Sequence, residues 1–416
     1  MRKLTGTTAL ALLLATGAQA ADLKLVEVIT SPERTETLTE MVSAWEEETG
    51  NTVEIVSLPW GQAFEKFATM VAGGDIPDVV EMPDRWLALY GPQLMDLQPY
   101  FEGWEHADTL TETTVNMGSA TADGSFKEIP YGFYLRAMFY NKDLLAEAGV
   151  EGVPETMEEF RDASAKVSEL DGKYGYCLRG GPGGLNGWMM MAANMMGSPE
   201  FFDADGKATI NSPEAVEGLQ FLIDIYQDGL APRDAVSWGF NEIVAGFYSG
   251  TCAFLDQDPD ALIAVAERMD AASFAVAPMP KGPDGKSFPT IGYAGWAAFD
   301  SSEAKDEAWS LIAHLSSPDQ NQTWAQRVGV IPIHKDADQD PYFQSEQFSG
   351  WFTELNDPAW EPLTMPTYLE GFGYFADSIA LETSQQALLG EISAQDMADE
   401  WAEFLTEEYE KYQAAK

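Results

Sequence analysis

The fold is decided by residues 23–58, LKLVEVITSPERTETLTEMVSAWEEETGNTVEIVSL, where a segment of helical periodicity lies between two strand-like apolar runs. Ser31 or Thr30 can cap this helix, Pro32 suits its first turn, and Gly50 suits its end. The chain continues with a second helical segment and a short apolar run, WGQAFEKFATMVAGG (60–74) and PDVVEM (77–82). Strand, helix, strand, helix and strand in this order predict a doubly wound α/β lobe.

The rest of the chain repeats the alternation of strands and helices, and no long Gly/Ser or Pro linker divides it. We therefore expect two α/β lobes that are joined by several short crossings, with a ligand cleft between the lobes. The crossings are predicted near residues 133–136, 299–302 and 335–337. The predicted boundaries are 21–133 with 302–337 for an N-terminal lobe, and 134–301 with 338–416 for a C-terminal lobe.

Residues 1–20, MRKLTGTTALALLLATGAQA, have the composition of a secretory signal peptide. Arg2 and Lys3 precede a short apolar run, and residues 18–20 form an A-x-A cleavage site. The residue after the predicted cut is Ala21 and not Cys, so no lipid anchor is signalled. We expect an exported protein that works in a periplasm.

The chain is strongly acidic. Removing residues 1–20 leaves 21 Lys plus Arg against 68 Asp plus Glu, a net charge of −47. Nucleic acids and anionic membranes bind clustered Lys and Arg, so this charge argues against both as partners. An apolar fraction of 45% and 12 Trp indicate a large folded core.

Groups that could do covalent or metal chemistry are scarce. The three His are far apart in the sequence, and no zinc, calcium or phosphate-loop motif is complete. We therefore expect no catalytic residue, no metal and no cofactor, although paired carboxylates of the glycosidase kind stay open. Cys177 and Cys252 can pair in an oxidising compartment, but their spacing leaves the disulfide open.

Six stretches in a fixed order resemble one known family, the extracellular solute-binding proteins of carbohydrate-type ABC importers, of which the maltose-binding proteins are typical. The resemblance covers nearly the whole mature chain and implies two α/β lobes of the type II periplasmic-binding-protein fold. It also implies a sugar bound between the lobes, hinge closure on binding, and transmembrane permease subunits as partners. The strong negative charge opposes close self-association, so we expect a monomer. The stretches are FATMVAGGDIPDVVEM (67–82), YNKDLLAEAGVEGVPETMEEF (140–160), SPEAVEGLQFLIDIYQDGL (212–230), NEIVAGFYSGTCAF (241–254), APMPKGPDGKSFPTIGYAGWAAF (277–299) and GVIPIHKDA (329–337).

Sugar binding needs aromatic faces for C–H surfaces and forked polar groups for hydroxyls. Trp296 is the first aromatic choice, because the small residues Gly295 and Ala297 would leave its face open. The predicted aromatic contacts are Trp60, Tyr134, Trp188, Trp238, Trp296 and Tyr368. The predicted polar and loop contacts are Ser31, Glu33, Arg34, Gln62, Asp84, Arg85, Arg136, Arg179, Gly181 and Asn186.

The identity of the sugar, neutral or anionic, stays open, although several of the scarce Arg residues fall in predicted cleft loops. Two other classes of protein also stay open. One is an exported carbohydrate-active enzyme such as a glycosidase. The other is a binding protein for a solute that is not a sugar.

Overall fold

A computed structural model describes residues 20–119, 121 and 124–415. The predicted signal peptide therefore lies outside the described residues, except for Ala20. Strands among the described residues form two separate sheets. They are β1 Asp22–Glu27, β2 Thr52–Ser57, β3 Val79–Pro83, β4 Glu128–Leu135, β5 Ala137–Asn141, β6 Tyr174–Tyr176, β7 Cys252–Gln257, β8 Phe274–Ala277, β9 Thr290–Ala298 and β10 Leu363–Thr364.

The first sheet has the order β10-β9-β3-β1-β2, and β4 also pairs with β9. β1 is parallel to β2 and β3, whereas β9 is antiparallel to β3 and β4. The second sheet has the order β6-β7-β5-β8, with β5 antiparallel to both of its neighbours. Each sheet is covered by helices, which makes the two-lobe α/β architecture that the sequence predicts.

The pairing of β9 corrects the predicted lobe boundary. Val79 of β3 lies opposite Ala298, and Phe133 of β4 lies opposite Tyr293. Residues 290–298 therefore belong to the first sheet, although the boundary predicted at 301/302 assigned them to the other lobe. The first crossing, at Arg136 between β4 and β5, coincides with the predicted one. The second crossing lies between β8 and β9, and not near 299–302.

Helix boundaries follow the capping residues. The Oγ of Ser31 accepts a hydrogen bond from the N–H of Arg34, Pro32 is the first helical residue, and Gly50 ends the helix at φ 77°. The helices are α1 Pro32–Thr49, α2 Trp60–Ala72, α3 Asp84–Tyr90, α4 Gln98–Phe101, α5 Glu112–Gly118, α6 Lys142–Glu147, α7 Met157–Ser168, α8 Leu185–Met196, α9 Pro213–Gln227, α10 Phe240–Tyr248, α11 Asp260–Ala266, α12 Lys305–Leu315, α13 Pro318–Val328, α14 Ser349–Asn356, α15 Phe372–Tyr374, α16 Ala380–Leu388 and α17 Ala394–Ala415.

One π-helical turn, Phe375–Ile379, joins α15 to α16. Such turns are rare and often occur at functional sites. This turn packs against the core of the second lobe through the buried Phe375 and Ala376. None of the helices in the described residues has the length and apolar composition that crossing a membrane requires.

The two cysteines form a disulfide that joins neighbouring strands of the second sheet. Cys177 follows β6, Cys252 begins β7, and their Cα atoms are 5.4 Å apart. Gly246 of α10 packs directly against this bond, since a Cβ there would lie 2.7 Å from the Sγ of Cys177. The disulfide thus fixes the strand that leads into the loop of residues 178–184.

Candidate functional site

A cleft of about 810 Å³ lies between the two sheets and is lined from both lobes. The first lobe contributes the segments that begin α1, α2 and α3, together with part of β9. The second lobe contributes α10, the loop before α8, the segment that joins β7 to α11, and the π-helical turn. The segments after β1, β2, β3 and β7 reach the cleft at the carboxyl ends of their strands, where α/β proteins bind ligands.

The first wall of the cleft, which Arg34 and Tyr134 line, is held by a hydrogen-bond network of Arg34, Glu81, Tyr131 and Tyr134, in which the buried Arg34 Nη1 has no hydrogen-bond partner. The Arg34 Nη2 is 2.8 Å from Glu81 Oε1 and 2.9 Å from the Tyr131 hydroxyl. The Tyr131 hydroxyl donates to Glu81 Oε1 at 2.5 Å and therefore accepts from the Tyr134 hydroxyl at 2.8 Å. The other Glu81 oxygen accepts from the N–H groups of Val28 and Ile29, so this buried carboxylate is fully partnered.

An aromatic cluster lies behind the first wall and explains why Trp296 is not a cleft residue. The Trp296 ring is 5.1 Å from the Tyr131 ring and 5.7 Å from the Trp324 ring, and the side chain is 1% exposed. The expectation that its face is open is therefore wrong. Gly295 is small for a different reason: a Cβ there would lie 2.7 Å from the carbonyl oxygen of Ile129 on β4.

The second wall is built around Arg136, Asp256 at the end of β7, and the aspartates that follow this strand. The Arg136 Nη1 donates to the carbonyl of Asp256 at 2.8 Å and to the side chain of Gln257. It also lies 3.6 Å from Asp256 Oδ2, and the Arg136 Nε lies 3.9 Å from Asp258 Oδ2. The hydroxyl of the buried Tyr176 donates to Asp256, and burial raises the pKa of Asp256.

Asp258 and Asp260 place two carboxyl groups side by side on the second wall. Both line the cleft, and the Gln257 amide donates to Asp258 Oδ1 at 2.9 Å. Burial, together with the neighbouring Asp258, raises the pKa of Asp260 well above its usual range. The two carboxyl groups therefore share a proton in a hydrogen bond between them, and their remaining oxygens can accept hydrogen bonds from a ligand.

Arg179 extends the second wall, and the loop Gly180–Gly184 is shaped around it. Its Nε donates to the Pro182 carbonyl at 2.7 Å, and its guanidinium lies 5.9 Å from the Phe240 ring centroid. Gly183 has φ 84°, and a Cβ there would lie 2.3 Å from the Arg179 Nη2. Glycine is therefore required at this position, which explains the Gly-rich loop in structural terms.

The mouth of the cleft is spanned by one ion pair. The Arg85 Nη1 of α3 is 3.3 Å from Asp377 Oδ1 in the π-helical turn of the second lobe. The Arg85 guanidinium also lies 5.2 Å from the Trp60 ring centroid, and Trp60 stacks on Trp86. Next to it, burial raises the pKa of Asp84, which accepts from the N–H of Arg85 at 2.6 Å.

Most of the predicted site residues line the cleft. They come from six separate parts of the chain, which the fold brings together. These residues are Ser31, Glu33, Arg34, Trp60, Asp84, Arg85, Tyr134, Arg136, Arg179 and Asn186.

The remaining predicted contacts lie elsewhere, as does Trp296. Trp188 is 1% exposed in the core of the second lobe, and Trp238 packs between the two cores against Gly246. Gly181 is buried and donates its N–H to the Trp238 carbonyl. Gln62 is exposed on α2, and Tyr368 packs on Tyr412 of α17. These residues are close in sequence to segments that line the cleft. Their side chains, however, lie on faces of the helices and strands that point away from it.

Several lining residues were missed by the sequence reasoning. Asp258 and Asp260 come directly after a buried strand, a position that marks the ligand edge of an α/β sheet, and this signal was available. Phe240 and Tyr293 carried no local signal, because only the three-dimensional pairing brings their elements to the cleft. The main residues that were missed are Phe240, Glu242, Tyr248, Gln257, Asp258, Asp260, Tyr293 and Asp377.

Metal chemistry has no cluster to support it in the part of the chain that the structure describes. No group of three or more His, Cys, Asp or Glu side chains there is arranged to hold an ion. The cleft is instead a mixture of aromatic faces, guanidinium groups, carboxyl groups and amides. Such a lining suits a polar organic ligand with both C–H faces and hydrogen-bonding groups.

Comparison with known proteins gives one matching family, described as bacterial extracellular solute-binding protein, over residues 31–322. A probable ABC transporter-binding protein of Deinococcus radiodurans is 27% identical over 371 residues, 84% of this chain and 85% of that protein. The galactooligosaccharide-binding protein of Bacillus subtilis is 22% identical over 384 residues, 87% of this chain and 88% of that protein.

Among solved structures, the maltose-bound MalE3 of T. maritima superposes with a TM-score of 0.81 at 24% identity. The match covers 93% of this chain and 99% of that chain. This likeness concerns the fold, including the arrangement of two lobes around a cleft.

Proposed function

Because this chain belongs to the family of bacterial extracellular solute-binding proteins, we propose that it captures a sugar between its two lobes and delivers it to the permease of an ABC importer. The observation that carries the proposal is the cleft of about 810 Å³, whose lining comes from both lobes. A ligand held there touches both lobes at once and so favours their closed arrangement.

The composition of the cleft supports a saccharide as the solute. Trp60, Tyr134, Phe240 and Tyr293 offer aromatic surface in the lining, and Arg, Asp, Asn and Gln side chains surround them. Sugar rings combine apolar C–H faces with a rim of hydroxyls, which is the complement of such a lining. The named ligand of the Bacillus subtilis relative, a galactooligosaccharide, is of the same chemical class.

The arrangement of Asp84, Asp258 and Asp260 in the cleft supports binding and not glycoside hydrolysis. A glycosidase needs two carboxyl groups on opposite sides of the scissile bond. Asp258 and Asp260 are instead hydrogen-bonded neighbours on one wall, and Asp84 is held by the backbone of α3 and β9. We therefore propose that the protein is not an enzyme and that its ligand leaves unchanged.

Transport would follow export to the periplasm with removal of residues 1–20. We propose that the mature protein acts as a monomer without metal or cofactor, and that it does not bind nucleic acid. The permease would recognise the closed form, in which both lobes present one continuous surface. The strong net negative charge of the chain, −45 with residues 1–20 included, opposes close self-association.

The proposal is tested with the mature protein, residues 21–416, in a thermal-shift screen of mono- and oligosaccharides beside peptides and polyols. Hits are confirmed by calorimetry after exhaustive chelation. A saccharide should raise the melting temperature with increasing concentration, because it binds only the native state. Small-angle scattering should then give a smaller radius of gyration at saturation.

Three results would contradict the proposal. Binding of peptides with no response to any saccharide would favour a different solute. Release of free sugar from a bound glycoside would favour an enzyme. Binding that disappears after chelation and returns with calcium would contradict the absence of a metal.

A further inference from the structure

The arginines of the cleft differ in one respect, the presence of an acidic partner. Five of the six that line the cleft have a carboxylate oxygen within ion-pair distance, as expected in a chain with 68 acids and 23 bases. The pairs are Arg34–Glu81 at 2.8 Å, Arg85–Asp377 at 3.3 Å, Arg136–Asp256 at 3.6 Å, Arg268–Glu267 at 2.8 Å, and Arg327–Glu40.

Arg179 is the exception among the described residues, because no Asp or Glu oxygen there lies within 4.0 Å of its guanidinium. Its side-chain hydrogen bond to the protein uses the Nε, which donates to the Pro182 carbonyl. Burial, together with the neighbouring Arg136, lowers the pKa of Arg179 to about 10. The positive charge at this place is therefore destabilised in the protein without ligand.

The protein nevertheless fixes this guanidinium in place. Gly183 packs against it so closely that a Cβ there would lie 2.3 Å from the Arg179 Nη2, and a Cβ at Gly184 would lie 2.2 Å from the carbonyl oxygen of Arg179. Phe240, across the cleft lining, lies 5.9 Å from the guanidinium carbon. An Arg side chain that was only solvated would not need a glycine loop packed against it. The arrangement therefore fits a guanidinium that is held in position to contact a ligand.

We propose that the captured sugar is acidic and that its carboxylate binds the guanidinium of Arg179. The inference rests on the proposed function and specifies its ligand class, a saccharide that carries a hexuronate unit. One unpaired guanidinium matches a monoanion, and the planar fork of Arg suits a carboxylate. A dianionic phosphate ester would be repelled by the aspartates after β7, because Arg136 is already shared with Asp256 and Asp258.

The aspartates that lie beyond Arg136 would serve the rest of the same ligand. Asp258 and Asp260 offer acceptor oxygens for ring hydroxyls, and Asn186 adds an amide from the start of α8. The cleft thus has one contact for an anionic group, at Arg179, and several other contacts for hydroxyl groups. A neutral sugar would leave Arg179 buried in the closed cleft without a counter-charge, which weakens its binding.

The experiment compares matched pairs of sugars by calorimetry on residues 21–416. D-Galacturonate is compared with D-galactose, D-glucuronate with D-glucose, and digalacturonate with galactobiose, each at low and at high salt. The methyl ester of galacturonate tests the charge at constant shape. We expect the acidic member to bind more tightly in at least one pair, with the ester roughly tenfold or more weaker.

Variants locate the contact. Arg179→Gln should weaken uronate binding by roughly tenfold to a hundredfold, and Arg179→Lys should restore part of it. The melting temperature of Arg179→Gln without sugar should be equal to or above that of the wild type, because a partly buried charge without an acidic partner is removed. Arg161→Gln is the control, since Arg161 pairs with Asp228 on the surface away from the cleft lining.

Neutral members that bind as tightly as their acidic partners, with no effect of Arg179→Gln, would overturn the inference and leave the proposed function intact. Failure of all seven compounds to bind would also overturn it. The wider saccharide screen described above then decides separately whether the proposed function fails too.

Discussion

The two walls of the cleft are built from the same residue types but differ in how their charged and polar groups are paired. On the first wall, Arg34, Glu81, Tyr131 and Tyr134 hold each other in a network with one positive and one negative charge. On the second wall, Arg136 and the acids after β7 are only partly matched, and Arg179 has no acidic partner among the described residues.

This difference indicates that the first wall supports the structure of the cleft, whereas the second wall selects the ligand. A wall whose charged groups are already paired with each other gains little from a ligand and contributes shape and rigidity. A wall with unmatched groups carries a cost that a complementary ligand can remove, so it discriminates between ligands. Changes in the first lobe should therefore lower the free energy of unfolding, whereas changes at Arg179 should mainly lower the affinity.

The largest effect is expected for Trp296→Ala, behind the first wall. Truncating this fully buried indole leaves a cavity between Tyr131 and Trp324, and the free energy of unfolding should fall by about 3–5 kcal/mol. Urea denaturation measures this change. Trp60→Ala, at the half-exposed mouth of the cleft, is the matched control and should cost much less stability but more affinity. A stable Trp296→Ala protein that no longer binds sugar would reverse the assignment.

The second effect concerns Glu27, which supports the first wall from the end of β1. Its carboxyl accepts from the hydroxyls of Thr35 and Ser57, and burial together with the nearby Glu81 raises its pKa from 4.5 to about 7. Between these two values the native state keeps a proton that the unfolded chain has lost. Stability should therefore fall as the pH rises from about 4.5 to about 7, by up to about 3 kcal/mol.

Glu27→Gln tests this pH dependence, because the amide cannot ionise and still offers an oxygen to both hydroxyls. Relative to the wild type, the variant should gain stability between pH 5 and pH 8, as measured by urea unfolding across that range. The exposed Glu36→Gln serves as the control and should follow the wild-type curve. A wild-type curve that rises over the same range would show that Glu27 is ionised in the native protein.

The third prediction compares one hydroxyl on each wall. Tyr131→Phe removes contacts to Glu81, Arg34 and Tyr134 together, whereas Tyr176→Phe removes a single donor to Asp256. We expect losses of about 2–3 kcal/mol and about 1–2 kcal/mol in the free energy of unfolding, respectively. Both variants keep the ring, so packing is matched. Equal losses, or the reverse order, would contradict the contrast between the walls.

The smallest effect is expected for the ion pair that spans the two lobes. Arg85→Gln and Asp377→Asn should each change stability by about 1 kcal/mol or less, because Asp377 is partly exposed and salt screens the pair. A double-mutant cycle at low and at high salt measures the coupling. The radius of gyration without sugar should increase in either variant if the pair favours closure, and an unchanged radius would limit its role to side-chain positioning.

Local features of the fold were predictable from the sequence. The cap at Ser31 and the end of α1 at Gly50 depend on neighbouring residues, and the structure has both as predicted. In the stretch 140–160, the side chain of Asn141 caps the start of α6, and Gly149 adopts φ 67° just after the helix. Both residues in this stretch therefore have structural roles.

Features that depend on distant pairing were not predictable in the same way. Trp296 was expected in the cleft because its neighbours are small, but those neighbours allow β4 to approach β9. Which face of β9 is buried depends on the sheet it joins, and that sheet is formed by residues about 200 positions away in the sequence. The same non-local pairing placed the lobe boundary before β9.

The position of β9 also has a consequence for the order of folding. The second sheet has all of its strands once residue 277 is available, whereas the first sheet needs residues 290–298 between β3 and β4. The N-terminal strands, though they come first in the chain, therefore lack their central partner until most of the chain is present. Pairings of such long sequence separation form slowly. In refolding from denaturant, the disulfide-containing lobe should gain its protection from hydrogen exchange first, and the lobe that begins the chain should gain it last.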